Sequence, residues 1–242
     1  MKNKEFFLWV GGLFLILSGY AQDESLEIQL QLLQNSSEYQ FPIDSTGFSK
    51  IKNAKFYTKN GNTDVFAINS NNILLVDINK DGEKDVIYQD NRHYQATVLL
   101  VKKEDDFVEI WNGSGVLVHL RKGKETIIYV LNSAIGCFDI TMLSTLVMSN
   151  DKLTEKTIAL SSETKIGVID KTFEQRMISG ILRTQAIVDD KKKTDPCTGD
   201  FKIGNQIRTI ENKEVTIIKK QNEWLLVVLK EKEQSIIGWV KN

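Results

Sequence analysis

Histidine, cysteine and proline are scarce in this chain of 242 residues, which contains two of each. The histidines, His93 and His119, form no His-Glu-x-x-His or His-x-His motif, and the cysteines form no Cys-x-x-Cys motif. A catalytic zinc site would therefore need scattered ligands. A nucleophilic cysteine would need an activating base, and no spacing of carboxylates selects a glycosidase pair. We therefore expect a protein that is not an enzyme.

An excess of either charge is also lacking. The chain has 31 Lys and Arg residues against 32 Asp and Glu residues, which gives a net charge of −1. A strongly basic patch is the electrostatic footprint of nucleic-acid and anionic-membrane binding. We therefore expect neither nucleic acid nor an anionic membrane as the main partner.

The first residues have the layout of a secretory signal peptide. A short basic segment precedes an apolar run over about residues 6–17, and small residues close the segment at Ala21. We expect cleavage after Ala21, so that residues 1–21 are removed and Gln22 begins an exported, periplasmic or extracellular chain. A retained membrane anchor is the alternative. The run is shorter than the roughly 20 apolar residues that span a bilayer, and no basic cluster follows it.

Export would place both cysteines in an oxidising compartment. Cys137 and Cys197 could then form a disulfide that ties the two halves of the chain together. Each could equally be a small buried apolar residue, because the sequence does not show whether their Cα atoms come close enough to bond.

From about residue 54 the chain is rich in short segments of β-branched and aromatic residues, separated by turn signals. Short links favour antiparallel hairpins, and we predict an all-β fold. An N-terminal antiparallel β-meander domain over 22–160 is followed by a linker at 161–176 and a small SH3-like barrel of five short strands at 177–242. Near the start, leucines 26, 30 and 33 have helical spacing, but alternation over 26–32 also suits a strand, so both remain open.

A polar insertion interrupts the C-terminal region, residues 177–242. Its run of two aspartates and three lysines, Asp189 to Lys193, is interpreted as a solvated loop tip.

The C-terminal region resembles a bacterial SH3 (SH3b) domain. In that family a tryptophan opens the strand after a polar hairpin, and a Gly-Trp-Val signature closes the barrel. The usual Gly-Pro after the first arginine is missing here, and the polar insertion follows instead. The matching segments are Ile181-Leu182-Arg183-Thr184, Gly204-Asn205-Gln206-Ile207, Glu223-Trp224-Leu225-Leu226-Val227 and Gly238-Trp239-Val240.

The SH3b resemblance implies a binding module without chemistry of its own. Such modules often bind cell-wall peptides or other ligands outside the cytoplasm, so a cell-wall peptide or an envelope protein is the expected partner. Trp224 and Trp239 are either packing residues, which we favour, or part of a ligand surface.

One loop has the composition of a calcium site. Side-chain oxygens recur at alternate positions in Asp77-x-Asn79-x-Asp81, and Gly82 and Asp85 follow. Calcium prefers six to eight oxygen ligands. The carbonyl of Glu83 would be a further ligand. The alternative is a calcium-free polar hairpin in which Asp and Asn only stabilise turns.

The flanks of this loop distinguish between calcium motifs. An EF-hand needs helices on both sides and a glutamate at the position that Tyr88 occupies, whereas both flanks here suit strands. The stretch at about 66–90 instead resembles the calcium loop of FG-GAP/VCBS repeats. That resemblance implies one structural calcium ion held by Asp77, Asn79, Asp81, Glu83 and Asp85. The motif occurs once, which argues against a closed propeller of four or more blades.

Together these features predict an exported, non-enzymatic binding protein of the bacterial envelope. A structural calcium ion would hold its N-terminal domain, and the SH3b-like region would bind a cell-wall or protein ligand. The alternative is a periplasmic inhibitor or immunity-type protein that acts on a wall hydrolase.

Overall fold

The computed structural model describes residues 25–35, 39–60, 68–90, 95–134, 139–149, 152–195, 198–232 and 234–242. The expected signal peptide and both cysteines lie outside these ranges. The described residues form a short helix at 25–34 (α1), a single turn of helix at Phe48–Ile51 (α2) and fifteen strands. The predicted all-β class is confirmed.

The first five strands form one sheet in the order β1-β5-β4-β3-β2. Strands β2 to β5 are an antiparallel meander with short links, as the turn signals predict. Strand β1 joins the edge of β5 in parallel. The bounds are β1 Phe56–Tyr57, β2 Ile73–Val76, β3 Asp85–Asp90, β4 Ala96–Lys103 and β5 Asp106–Ser114.

Eight further strands form a second sheet in the order β10-β13-β14-β15-β9-β8-β7-β6. Strands β6 to β9 are a second antiparallel meander, and β9 then pairs in parallel with β15 near the chain end. The bounds are β6 Val116–Lys122, β7 Thr126–Asn132, β8 Ile140–Ser149, β9 Lys152–Ser161, β10 Glu174–Arg183, β13 Gln206–Gln221, β14 Trp224–Lys230 and β15 Gln234–Lys241.

Four strands of the C-terminal region close on themselves. Strand β10 pairs with β13 along its length and also with β15, where Arg183 is opposite Trp239. Together with the β13–β14 and β14–β15 pairs this gives a strand ring of β10, β13, β14 and β15. Apolar side chains from all four strands form one buried cluster, which includes Leu182, Val215, Val227 and Val240.

Two predictions for the C-terminal region are wrong in detail. The segments QIRTI and EVTIIKK, two of the five predicted strands, form the single strand β13, whose pairing shifts register at two places against β10 and at one place against β14. The insertion is not only a loop tip, because β11 (Lys192–Thr194) within it pairs with β12 (Phe201–Ile203), which follows it, as a separate antiparallel hairpin. The linker at 161–176 stays a prediction. The second sheet contains strands from both sides of this segment.

The core has layers on both sides of the second sheet. One buried cluster lies between the sheets and includes Ile87 and Leu99 from the first and Ile128 and Leu146 from the second. Another joins the leucines of α1 to β7–β9 and β13–β15. A third cluster covers the remaining face of the first sheet with Ile51 of α2. Among the described residues, no helix is long and apolar enough to cross a membrane.

Candidate functional site

The loop between β2 and β3 contains the predicted calcium ligands, and Asp77 organises its first half. The carboxylate of Asp77 accepts hydrogen bonds from the N–H groups of Lys80 (2.6 Å) and Gly82 (3.1 Å). Gly82 has φ +92°, in the left-handed region that glycine enters at little cost. The ammonium of Lys80 donates to the carbonyl of Gly123. The loop is therefore held against the turn between β6 and β7.

The second half of the loop is held by Asp81. Its Oδ1 accepts the N–H of Glu83 at 2.8 Å, and its Oδ2 accepts the side-chain amide of Asn79 at 2.8 Å. These bonds lower the pKa of Asp81, the N–H of Glu83 having the larger effect. Glu83 forms an ion pair with Lys102 at 2.5 Å, which raises the pKa of that lysine. Asp81 and Glu83 are both solvent-exposed.

Asp85 differs from the other carboxylates because it is fully buried, with 0 % of its surface exposed. Its Oδ2 accepts the N–H of Ile78 at 2.7 Å and its Oδ1 accepts the N–H of Lys102 at 2.9 Å. Burial raises the pKa of Asp85, and the two N–H groups oppose that rise. Asp85 therefore links the loop to the end of β4.

The donor chemistry of this loop suits calcium. Asp77, Asp81 and Asp85 supply only hard oxygen ligands, and none of the three forms an ion pair with a described residue. The described side chains do not, however, converge into a group of three or more acidic, histidine or cysteine residues that could hold a metal ion. The loop therefore matches a calcium site in ligand type and charge only, and the predicted calcium stays a prediction.

The two tryptophans of the C-terminal region are buried. Trp224 is 7 % exposed and Trp239 is 5 % exposed, and both belong to the cluster that includes Leu30 and Leu33 of α1. Their burial supports the packing interpretation that the sequence favoured. A ligand surface in this region must be built from other side chains.

A buried polar network in the C-terminal region was not predicted. The Arg183 guanidinium, whose side chain is 5 % exposed, donates to Asp190 Oδ1 at 2.7 Å and to Asn205 Oδ1 at 3.0 Å. Asn205 donates in turn to the Ile187 carbonyl at 2.9 Å, and Gln206 donates to Asp190 Oδ1 at 2.6 Å. The guanidinium lowers the pKa of Asp190. The network fixes both ends of the insertion to the strand ring.

The sequence contains only a weak signal for this network. Arg183 follows Leu182 in a segment with the composition of a strand, and the acidic pair that contains Asp190 follows seven residues later. The acidic pair adjoins three lysines, which favoured the interpretation as a solvated loop. The pairing of Arg183 with Asp190 depends on the insertion folding back, and no local pattern encodes that.

Cys137 and Cys197 lie outside the described residues, so the two alternatives for them, a disulfide or small buried apolar residues, both stay open. A scan against protein-family models, a search of curated proteins and a search of solved structures each find no match to this chain.

Proposed function

We propose that this chain is an exported, non-enzymatic binding protein of the bacterial envelope, with one structural calcium ion in the loop between β2 and β3. The observation that supports the calcium site is a set of three carboxylates within nine residues, Asp77, Asp81 and Asp85, without a cationic partner in the described structure. Like charges at such spacing repel, and a bound cation would relieve that repulsion.

Five residues would hold the ion: the side chains of Asp77, Asn79, Asp81 and Asp85, and the carbonyl of Glu83. A bound calcium ion supplies positive charge and fixes the loop, and it performs no reaction. Lys80 and Lys84 within the same loop offset part of the negative charge. We therefore expect a weak site, with a dissociation constant of roughly 10⁻⁴ to 10⁻³ M, in the range of extracellular modules.

The C-terminal region is the proposed binding module. The SH3b resemblance suggests this role, and the strand ring is compatible with it. The proposed ligand is an envelope component. Among envelope components, a protein ligand suits the exposed β11–β12 hairpin of this region.

The calcium proposal predicts a melting temperature that depends on calcium. In 10 mM calcium rather than chelator, a site of the proposed affinity stabilises the folded state by about 1.4 to 2.7 kcal/mol, or about 3 to 10 °C in a chain of this size. Asp81→Ala should abolish the shift, because it removes a charged ligand whose side chain is exposed. Differential scanning calorimetry on both proteins measures the effect.

Glu211→Ala is the matched control, since Glu211 is also an exposed carboxylate but lies on β13, in the other sheet. It should keep the full calcium shift. A wild-type melting temperature that is equal in calcium and chelator would contradict the calcium site. Turnover of labelled muropeptides by the wild-type protein would contradict the non-enzymatic role, and inhibition of a lysozyme-like enzyme would indicate the inhibitor function instead.

A further inference from the structure

The hairpin of β11 and β12 has two chemically different faces. Residues that are directly opposite in an antiparallel pair point their side chains to the same face. Thr194 is opposite Phe201, and Lys192 is opposite Ile203. We call these four residues the outer face. The inner face consists of Lys193 and Lys202, which are also opposite one another.

The inner face is neutralised by aspartates. Lys193 lies 2.6 Å from Asp189, and Lys202 lies 3.5 Å from Asp195 and 3.7 Å from Asp139. Asp139 directly precedes β8, so these ion pairs turn the inner face toward the body of the protein. The outer face therefore points away from the body.

The outer face is apolar and exposed. Phe201 is 68 % exposed and Ile203 is 51 % exposed. Among the described residues nine large hydrophobic side chains are exposed, and four of them lie within residues 187–203: Ile187, Val188, Phe201 and Ile203. Such a concentration in one short segment is unlike singly scattered surface apolar residues and is typical of interaction surfaces.

The outer face also has an uncompensated positive charge. The Lys192 ammonium lies 3.9 Å from the centre of the Phe201 ring, a cation–π geometry, and it forms no ion pair with a described carboxylate. The outer face itself contains no acidic residue. A ligand that complements it would combine apolar side chains with carboxylates.

The base of the hairpin is rigidly held, so its outer face is preorganised for binding. The buried Arg183–Asn205 network joins the insertion to the strand ring. At Gly204 the backbone has φ +48°, and a Cβ there would lie 1.8 Å from the Asp189 carbonyl oxygen, so only glycine allows this close approach. A preorganised surface loses less conformational entropy when it binds a partner.

From these observations we propose that the outer face of the β11–β12 hairpin binds an acidic, apolar segment of a partner protein. The assignment deepens the binding function proposed above, on which it rests, by naming the surface and the chemistry of the partner. The apolar side chains of that segment cover Phe201 and Ile203, and a carboxylate pairs with Lys192. Burial of an aromatic side chain at the centre of such a contact commonly supplies much of the binding free energy.

Fluorescence anisotropy with a labelled heptapeptide that alternates glutamate and leucine tests this surface on the full chain. We expect saturable binding that weakens at least about tenfold in Phe201→Ser and in Lys192→Glu. The same peptide with glutamine in place of glutamate should bind weakly to the wild-type protein. Both positions are exposed, so the melting temperatures of the variants should match that of the wild type.

Met177→Ser and Lys213→Glu are matched controls, because both side chains are exposed on other strands of the same region. They should bind the peptide like the wild type. No binding of the glutamate peptide, or binding that Phe201→Ser leaves unchanged, overturns the assignment. Binding to phosphatidylglycerol vesicles that is lost in Phe201→Ser, without peptide binding, also overturns it and indicates a membrane surface.

The binding role and this surface can fail separately. Retention of the wild-type protein on purified peptidoglycan, without binding of the glutamate peptide, would support the binding role and overturn the hairpin surface. Absence of binding to both the peptide and peptidoglycan would count against the two together.

Discussion

At the scale of single residues, Thr126 has a buried hydroxyl without a partner. The residue is 0 % exposed and its Oγ1 accepts or donates no hydrogen bond in the described structure. A buried unsatisfied polar group costs roughly 1–3 kcal/mol. Thr126→Val keeps the branched shape and removes that group, so we expect a gain of about 1 kcal/mol in the free energy of unfolding, measured by urea denaturation.

Thr97 is the matched position, because it is equally buried but its hydroxyl is satisfied. Its Oγ1 lies 3.0 Å from Gln89 Oε1 and 2.9 Å from the Gly115 carbonyl. Thr97→Val should therefore lower the free energy of unfolding by roughly 1–3 kcal/mol. Equal effects of the two substitutions, in sign and size, would contradict the difference in hydrogen bonding on which both expectations depend.

The ion pair of Arg183 and Asp190 should make stability depend on acidic pH. The guanidinium lowers the pKa of Asp190 in the folded state. The stability that this carboxylate contributes is therefore fully present above its unfolded pKa, about 3.9, and is lost as pH falls through the lower folded value.

Asp190→Asn tests this pH dependence. Above about pH 5 the variant should melt below the wild type, and the difference between them should shrink as pH falls below about 4. Thermal melts of both proteins from pH 2 to 7 measure it. A difference that is constant across this range would show that the carboxylate charge does not matter.

At the scale of elements, the strands of both meanders could be predicted because their residues alternate or are uniformly apolar. The helix α1 could not, since leucine occurs at positions that satisfy both periods. The structure resolves this ambiguity through burial: Leu26, Leu30 and Leu33 form a helical stripe, and Leu32 is buried beside them. The apolar surface of the second sheet under α1 is wide enough to cover more than one stripe.

A turn signal lies inside strand β13. The residues Glu211-Asn212-Lys213 suggest a turn between two strands, and Asn212 does adopt φ +45°. Its N–H is accepted by the Ser179 hydroxyl on β10 at 2.8 Å. Pairing with β10 therefore continues on both sides of an irregular point, and the sequence cannot show this because the partner is distant.

The calcium loop was predictable only in part. Spacing alone places Asp77, Asn79 and Asp81 in one loop between two strands, and the structure has them there. The burial of Asp85 was not predictable, because it depends on the N–H of Lys102, a residue of β4 that lies seventeen positions further along the chain.

At the scale of the whole molecule, the parallel pair of β9 and β15 joins what the sequence suggested were two domains. Gln234 to Ile237 are opposite Thr157 to Leu160. Parallel pairing of distant segments has no local signature, and so the sequence could not predict it. The helix α1 spans the same junction, because its leucines share a cluster with β7–β9 and with β14 and β15.

Because this junction joins them, the two predicted domains, 22–160 and 177–242, should unfold together. Trp111 reports on the first sheet, whereas Trp224 and Trp239 report on the strand ring. With 5-fluorotryptophan incorporated and each signal assigned by a Trp→Phe variant, ¹⁹F NMR should give the same urea midpoint for all three. Two independent domains would instead give two midpoints. Trp111 packs against the cluster between the two sheets and donates a hydrogen bond to Glu155 of β9. The second sheet continues from β9 into the strand ring, so loss of either half removes contacts that hold the other.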